Sequence, residues 1–366
     1  MNRHWCRAAT IALAAIVAGA GHPGCRPSLM AAGEGVVHVP ARLSETGLYL
    51  PGGVSEVDAR NREFSPQYPL WSDGATKTRW VFLPPGTTID TRDDAAWEFP
   101  VGTRFWKEFS FNGRKVETRM LWKATLSRWV AVSYVWNDTQ SDAILASDRG
   151  EPDVVSLTPS RRHSVPSASD CLACHGGRRT EPLGFNPLQL STDRDPSAIH
   201  AEALAPGALT LRTLVEEGLV SPSRTDLVDT PPRIRSASAQ TRRMLGYLSA
   251  NCGSCHRGDA DLAAQVPSLK YSDLLRDGDA VALSLVGRAT AWQVPGVPEG
   301  ASVFIDHGAP GTSAMLLRMR SRSPSSQMPP LGTVLRDEKA VDALSLWIRG
   351  DLADLARSGF PERVTR

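Results

Sequence analysis

Two short segments of this chain carry residue types and spacing suited to covalent cofactor chemistry. They are Cys171-Leu172-Ala173-Cys174-His175 and Cys252-Gly253-Ser254-Cys255-His256. Thiols three positions apart fall on one side of a helical turn, where each can add to a vinyl group of one haem. The histidine that follows each pair can then ligate the iron from its proximal side. On this chain's composition one such pattern arises by chance about 0.002 times. A repeated pattern therefore predicts two covalently bound haem c groups, each bringing an iron. The expected attachment set is Cys171, Cys174, His175, Cys252, Cys255 and His256, with His175 and His256 on the metal. Other uses of paired cysteines fit less well. A zinc ion shared by both pairs would have to bridge the long stretch between Cys174 and Cys252, far beyond the usual ligand spacing. A thioredoxin-like pair wants a βαβ setting that this sequence does not suggest. Structural disulfides suit an exported protein but require no histidine after each pair.

The second iron has an evident sixth ligand. Met328 lies in Gln327-Met328-Pro329-Pro330-Leu331-Gly332, with enough chain after His256 to pass round a haem and return on its opposite face. Thioether sulfur suits a soft-ligand iron site, and His/Met ligation raises the reduction potential. Met315 and Met319 lie four apart on a helical face and read as packing residues instead. For the first haem the candidates are His163, His200, His307 and Met120. Each also has an ordinary role as a surface, hydrogen-bonded or core residue, and a sixth position that is open or bound by water is the other expectation. An open iron could react, whereas a closed one would only carry electrons.

The elements that must hold these residues change character along the chain. From about 40 to 160 the pattern is β. Trp80-Val81-Phe82-Leu83 ends at the turn signal Pro84-Pro85-Gly86. Phe105, Phe109 and Phe111 precede Asn112-Gly113, and Val116, Thr118 and Met120 alternate after it, which predicts a hairpin. Trp129 to Trp136 adds a further strand. From about 200 the period becomes helical, over Leu209 to Leu219, Gln240 to Asn251, Thr312 to Met319, and Asp337 to Ile348 with Gly350 as the stop. The predicted fold is multidomain α+β: an N-terminal antiparallel β-rich domain over 41–165, a first haem segment with a helical connection over 166–238, and an α-helical cytochrome c-like domain over 239–356. That last domain is expected to run as helix, motif, loop-rich middle, methionine loop and C-terminal helix.

Composition narrows the function further. The 366 residues carry 41 basic and 39 acidic side chains, a formal charge of +2, which is not the clustered basic excess of a nucleic-acid binder. Arg3, His4 and Arg7 lead an apolar run from Ala8 to Ala20 that ends in Ala18-Gly19-Ala20, the pattern of a cleaved signal peptide over 1–20. A flexible linker is expected over 21–40, and the mature chain contains no transmembrane span. Cys25 is a candidate lipid anchor, although His22-Pro23-Gly24 before it lacks the usual leucine-like residue. The expected location is the periplasm.

Further phrases carry a family resemblance. They include Leu43-Ser44-Glu45-Thr46-Gly47-Leu48-Tyr49, Pro69-Leu70-Trp71-Ser72-Asp73-Gly74-Ala75 with Lys77 and Arg79-Trp80, and Phe99-Pro100-Val101-Gly102-Thr103 with Lys107. Val116-Glu117-Thr118-Arg119, Leu183-Gly184 with Gln189-Leu190, Tyr247-Leu248 before Asn251-Cys252, and Met328-Pro329-Pro330 continue the series. With these the chain resembles an uncharacterised family of exported bacterial di-haem c-type cytochromes, over nearly all of its mature length. The resemblance implies two haems but no substrate. The ten tryptophans read as core and haem-pocket packing, with stacking on sugars or bridging of electron flow as the alternatives. Asp73, Lys77 and Arg79 are expected together in a loop, as an ion-pair network or as contacts to a haem propionate.

The leading expectation is a periplasmic electron-transfer protein that takes electrons from a redox partner such as a dehydrogenase and passes them to an acceptor. A di-haem peroxidase-like enzyme reacting at an open first haem is the second. A haem-based sensor or binding module is the third.

Overall fold

Asn112 and Gly113 take φ of 51° and 78° and close the hairpin at the centre of the sheet. A two-residue turn between right-twisting strands demands positive φ at both positions. The computed structural model of the chain describes residues 37–175, 182–257 and 267–359. The expected leader and Cys25 lie outside these residues.

The strands are β1 (Arg62–Glu63), β2 (Thr76–Phe82), β3 (Ile89–Asp90), β4 (Arg104–Phe111), β5 (Arg114–Lys123), β6 (Trp129–Trp136), β7 (Ala143–Leu145), β8 (Glu151–Thr158) and β9 (Arg161–Val165). Six of them form one antiparallel sheet in the order β1-β2-β4-β5-β6-β7. Side chains alternate between its faces with period two. Val81, Phe105 and Leu121 point one way and pack with Phe64, Phe99, Phe185 and Leu190. Trp80, Trp106 and Met120 point the other way, against Leu43, Leu48, Tyr49 and Trp136. Lys77 and Arg79, expected in a loop, are strand residues of β2; only Asp73 lies in the turn before it, at φ 53°. The hairpin β8–β9, exposed or half-exposed except at the buried His163 and Val165, leads into the first motif.

The helical part comprises α1 (Ala168–His175), α2 (Leu211–Glu216), a short strand β10 (Val220–Ser221) parallel to β3, α3 (Thr225–Asp229), α4 (Ala239–Cys252), α5 (Tyr271–Leu285), α6 (Ala314–Arg320), α7 (Glu338–Arg349) and α8 (Asp351–Gly359). The fold is therefore α+β, with an antiparallel sheet first and helices after it. The Ser238 hydroxyl caps α4 by accepting from the Thr241 N–H at 3.0 Å. Asp337 does the same for α7 through Ala340 N–H at 3.1 Å. Both helices turn apolar faces inward, Met244, Leu245 and Leu248 against Leu344, Trp347 and Ile348. The Trp347 indole N–H donates to Thr241 Oγ1 at 3.0 Å, which satisfies a polar atom inside that core. Gly246 is required where α4 meets Tyr68, because a Cβ there would overlap the tyrosine ring.

Two expectations about this half need correction. The middle between the second motif and the methionine loop contains α5, whose backbone leaves helical geometry at Asp277 (φ −159°, ψ 92°). The Asp277-Gly278 pair breaks the helical period there, and Gly278 fits against Ile234 and the Arg235 carbonyl. Gly350 ends α7 as expected, but α7 is not the last helix, because α8 follows at once. No helix among the described residues is long and apolar enough to cross a membrane.

Candidate functional site

The first motif lies entirely on α1. Ser167 and Asp170 start this helix reciprocally: Ser167 N–H donates to Asp170 Oδ2 at 3.0 Å, and Asp170 N–H donates to Ser167 Oγ at 3.1 Å. The helix sits over β6, beside Arg119, whose charge reaches both Cys171 and Cys174. Arg119 is fixed by Glu117, with Nη2 to Oε1 at 2.5 Å and Nε to Oε2 at 3.1 Å. Burial alone would raise the Glu117 carboxyl, but Arg119 and His163 outweigh it and hold it at about 2. Burial pushes the Cys171 thiol up.

His163 and His200, two candidate ligands for the first haem, are held by carboxylates. His163 is buried, with Nε2 3.0 Å from Glu117 and Nδ1 3.9 Å from Asp73. Burial alone would lower its pKa, but its bonds to Asp73 and Glu117 raise it above 6.5. His200 bonds through Nε2 to both Asp337 oxygens, at 2.9 and 2.8 Å, and stacks on Trp71 with ring centroids 5.2 Å apart. His307 is exposed. Met120 is a core residue on the sheet face opposite Arg119, and so turned away from the first motif.

The second motif begins where α4 ends. Cys252 is the last helical residue, and its carbonyl accepts from Cys255 N–H at 3.1 Å and His256 N–H at 2.9 Å. Gly253 allows the turn to pass close to the Leu269 carbonyl, which an added Cβ would crowd at 2.8 Å. Burial, and after it the Arg318 charge, lowers the His256 pKa and favours its neutral, ligating form. Arg318 also holds Met328, whose N–H donates to the Arg318 carbonyl at 3.0 Å. The Arg318 side chain donates through Nε to Ser326 O at 3.0 Å. Arg318 thus bonds the backbone of the half-buried Met328 and acts on His256 through its charge. Met319 is buried in the helical core and Met315 packs against it, as their helical spacing predicts.

The two motifs come together in space. Cys255 Sγ lies 3.9 Å from the Ala173 carbonyl, and the Cys174 and Cys255 thiols are in hydrogen-bond contact. That bond lowers Cys255 to about 6 and raises Cys174. Burial pushes Cys252 up to about 12. Distance along the chain is therefore no argument against a shared metal. Among the described residues, however, no group of three or more His, Cys, Asp or Glu side chains is arranged to hold an ion. All four motif cysteines are free thiols.

One loop ties the sheet to the start of the second motif and to the segment after Met328. Trp71 N–H donates to Asn251 Oδ1 at 2.8 Å, directly before Cys252. Asp73 Oδ1 accepts from Val334 N–H at 2.9 Å and Leu335 N–H at 2.8 Å, just beyond the Met328 segment. Asp337 joins the same frame, bonding His200, Tyr247 and the α7 N-terminus. Sequence reasoning passed over Arg318 and Ser133, and used Asp337 only as the start of a helix. Lys107 and Arg119 entered only within matching phrases, although a lysine between Phe105 and Phe109 was a visible charge in an apolar alternation. No family model, curated protein or solved structure matches the chain.

Proposed function

We propose that this protein is an exported two-haem c-type cytochrome that moves electrons between a partner protein and an acceptor. The observation that carries the reading is the pair of Cys-x-x-Cys-His motifs, brought together where Cys255 Sγ lies 3.9 Å from the Ala173 carbonyl. Two repeats of an attachment pattern, distant in sequence, open onto one place in the fold. The donor sets fit the group: free thiol pairs three positions apart, each followed by a histidine. Haem would supply one-electron redox chemistry. The chain's own residues do the rest. Burial favours neutral His256, Arg318 holds the Met328 backbone, and Asp73 fastens the segment that follows. This supports Met328 as the sixth ligand of the second iron and a cytochrome c-like organisation of 239–356; a periplasmic location and kinship with exported di-haem cytochromes belong to the same proposal and rest on the sequence alone.

A second reading, reaction at an open first haem, has its own support. His163 and His200 engage carboxylates through Nε2, and Met120 points into the far face of the sheet. Visible and EPR spectra of the exported, matured protein discriminate the two. A low-spin first iron with no peroxide turnover favours the carrier, and a high-spin first iron that turns over peroxide favours the enzyme.

A further inference from the structure

Across the sheet face that bears α1, residues of like charge stand directly opposite one another. Arg79 pairs with Lys107, Lys107 with Arg119, and Arg119 with Ser133, from β2 through β6. Like charges in register on neighbouring strands are destabilising, so this row needs compensation. Part of it is present. Arg79 donates to Glu202, with Nη1 to Oε2 at 2.5 Å, and Arg119 to Glu117. Lys77, one position along the same face, donates to the neutral Leu70 carbonyl at 2.6 Å. Lys107, at the centre, lies over the Phe109 ring, 5.0 Å from its centroid. Among the described residues neither ammonium has a carboxylate in hydrogen-bond contact, so two guanidiniums are paired and two ammonium groups are not.

The far end of the row gives an independent sign. Ser133 is 5% exposed, and its hydroxyl has no hydrogen-bond partner among the described residues. A buried unpaired hydroxyl costs free energy unless something accepts from it. It stands opposite Arg119, the residue whose charge reaches Cys171 and Cys174.

We propose that Lys107, Arg119 and Ser133 form a binding row for an oxyanion, either the carboxylates of a haem attached at Cys171 and Cys174 or a small free oxyanion that reaches the same face. The first source rests on the two-haem reading; the second does not. An anion here would satisfy the Ser133 donor and neutralise the surplus charge in one step. Burial, followed by the charges of Arg79, Lys77 and Arg119, pushes the Lys107 amine well below its ordinary range, and an adjacent anion reverses that push.

The test uses the exported, matured full-length protein and its Lys107→Met, Lys107→Arg and Ser133→Ala variants. The measurements are intact mass, potentiometric titration, and calorimetric titration with sodium sulfate. If the haem carboxylates occupy the row, Lys107→Met keeps both mass increments but shifts the first haem about tenfold toward oxidised, about 59 mV for one electron. The second haem stays put and Lys107→Arg restores the first. If a free oxyanion occupies it, the wild type binds sulfate saturably, and Lys107→Met and Ser133→Ala each weaken binding about tenfold. Ser133→Ala should not lower the melting temperature, since it removes an unpaired group, so any loss of binding is not unfolding. Unchanged potentials in Lys107→Met, with no sulfate binding by the wild type, would overturn the proposal. A wild type without haem overturns the two-haem reading instead, and sulfate binding alone then decides the row.

Discussion

The carboxylate of Asp73, in the turn before β2, accepts the backbone N–H of Leu335 at 2.8 Å, 262 positions further along the chain. The same oxygen accepts from Val334. One side chain from the sheet thus fixes the segment that follows Met328. Removing it strands two N–H groups that have no other acceptor among the described residues. Both residues are half-buried, so water can replace part of what is lost, and Asp73→Ala should destabilise by about 1–3 kcal/mol in chemical denaturation. Asp73→Asn keeps an acceptor and tolerates the positive φ, and should lose less than half as much. Equal losses in the two variants would show that the carbonyl-type acceptor is not what matters.

Thiol reactivity before any cofactor is attached should follow the environments of the cysteines. The thiolate is the reacting species. Cys255, lowered to about 6 by its bond to Cys174, is largely ionised at pH 7, whereas Cys252, raised to about 12 by burial, is not. Brief alkylation of the apoprotein, followed by peptide mass mapping, should label Cys255 first and Cys252 last. Labelling of Cys255 should fall away below about pH 6. A uniform labelling order would contradict the contact between the motifs.

The pair Glu117 and His163 gives a pH dependence of stability with a defined sign. Glu117 is lowered from 4.5 to about 2 in the fold, so its contribution is complete above 4.5 and is lost as pH falls toward 2. His163 is raised above 6.5, so its contribution is complete below 6.5 and is lost as pH rises through its higher folded value. Thermal melts from pH 2 to 9 should therefore show a wild-type advantage over Glu117→Gln that peaks between about 4.5 and 6.5. A difference independent of pH would remove ionisation from the account.

Met328 and Met319 should part company when each is changed to alanine. Met319 is buried in the helical core, and truncating such a residue costs about 2–5 kcal/mol. Met328 is half-buried and loop-borne, so its loss should cost little stability yet alter the spectrum and lower the potential of the second haem. An unchanged spectrum in Met328→Ala would end its assignment as a ligand.

Much of the frame was legible in the residues themselves. Asn112-Gly113 between alternating runs announced the central hairpin, and the apolar faces of α4 and α7 announced their cores, because each signal is local. The hairpin β8–β9 was not separable as two strands, since Glu151–Thr158 is exposed or half-exposed along its length and lacks an apolar alternation. Helix α5 was hidden by Asp277-Gly278, which reads as a turn but sits within a continuing helix. The residues of the candidate site split the same way. Both motifs stood out as spacing, but their meeting at Cys174 and Cys255 is a tertiary fact that no local pattern encodes. His163 and His200 stood as candidate ligands beside an ordinary hydrogen-bonded role, because histidine type alone cannot reveal the carboxylates, Glu117 and Asp337, that hold them.

The central claim, that both motifs carry haem, is tested most directly by intact mass of the protein exported from a host with haem-attachment machinery. The mass should exceed that of the mature polypeptide by two haems, falling to one when Cys171 and Cys174, or Cys252 and Cys255, are both changed to alanine. A mature protein carrying no haem, with Cys174 and Cys255 instead joined in a disulfide or bound to zinc, would contradict it.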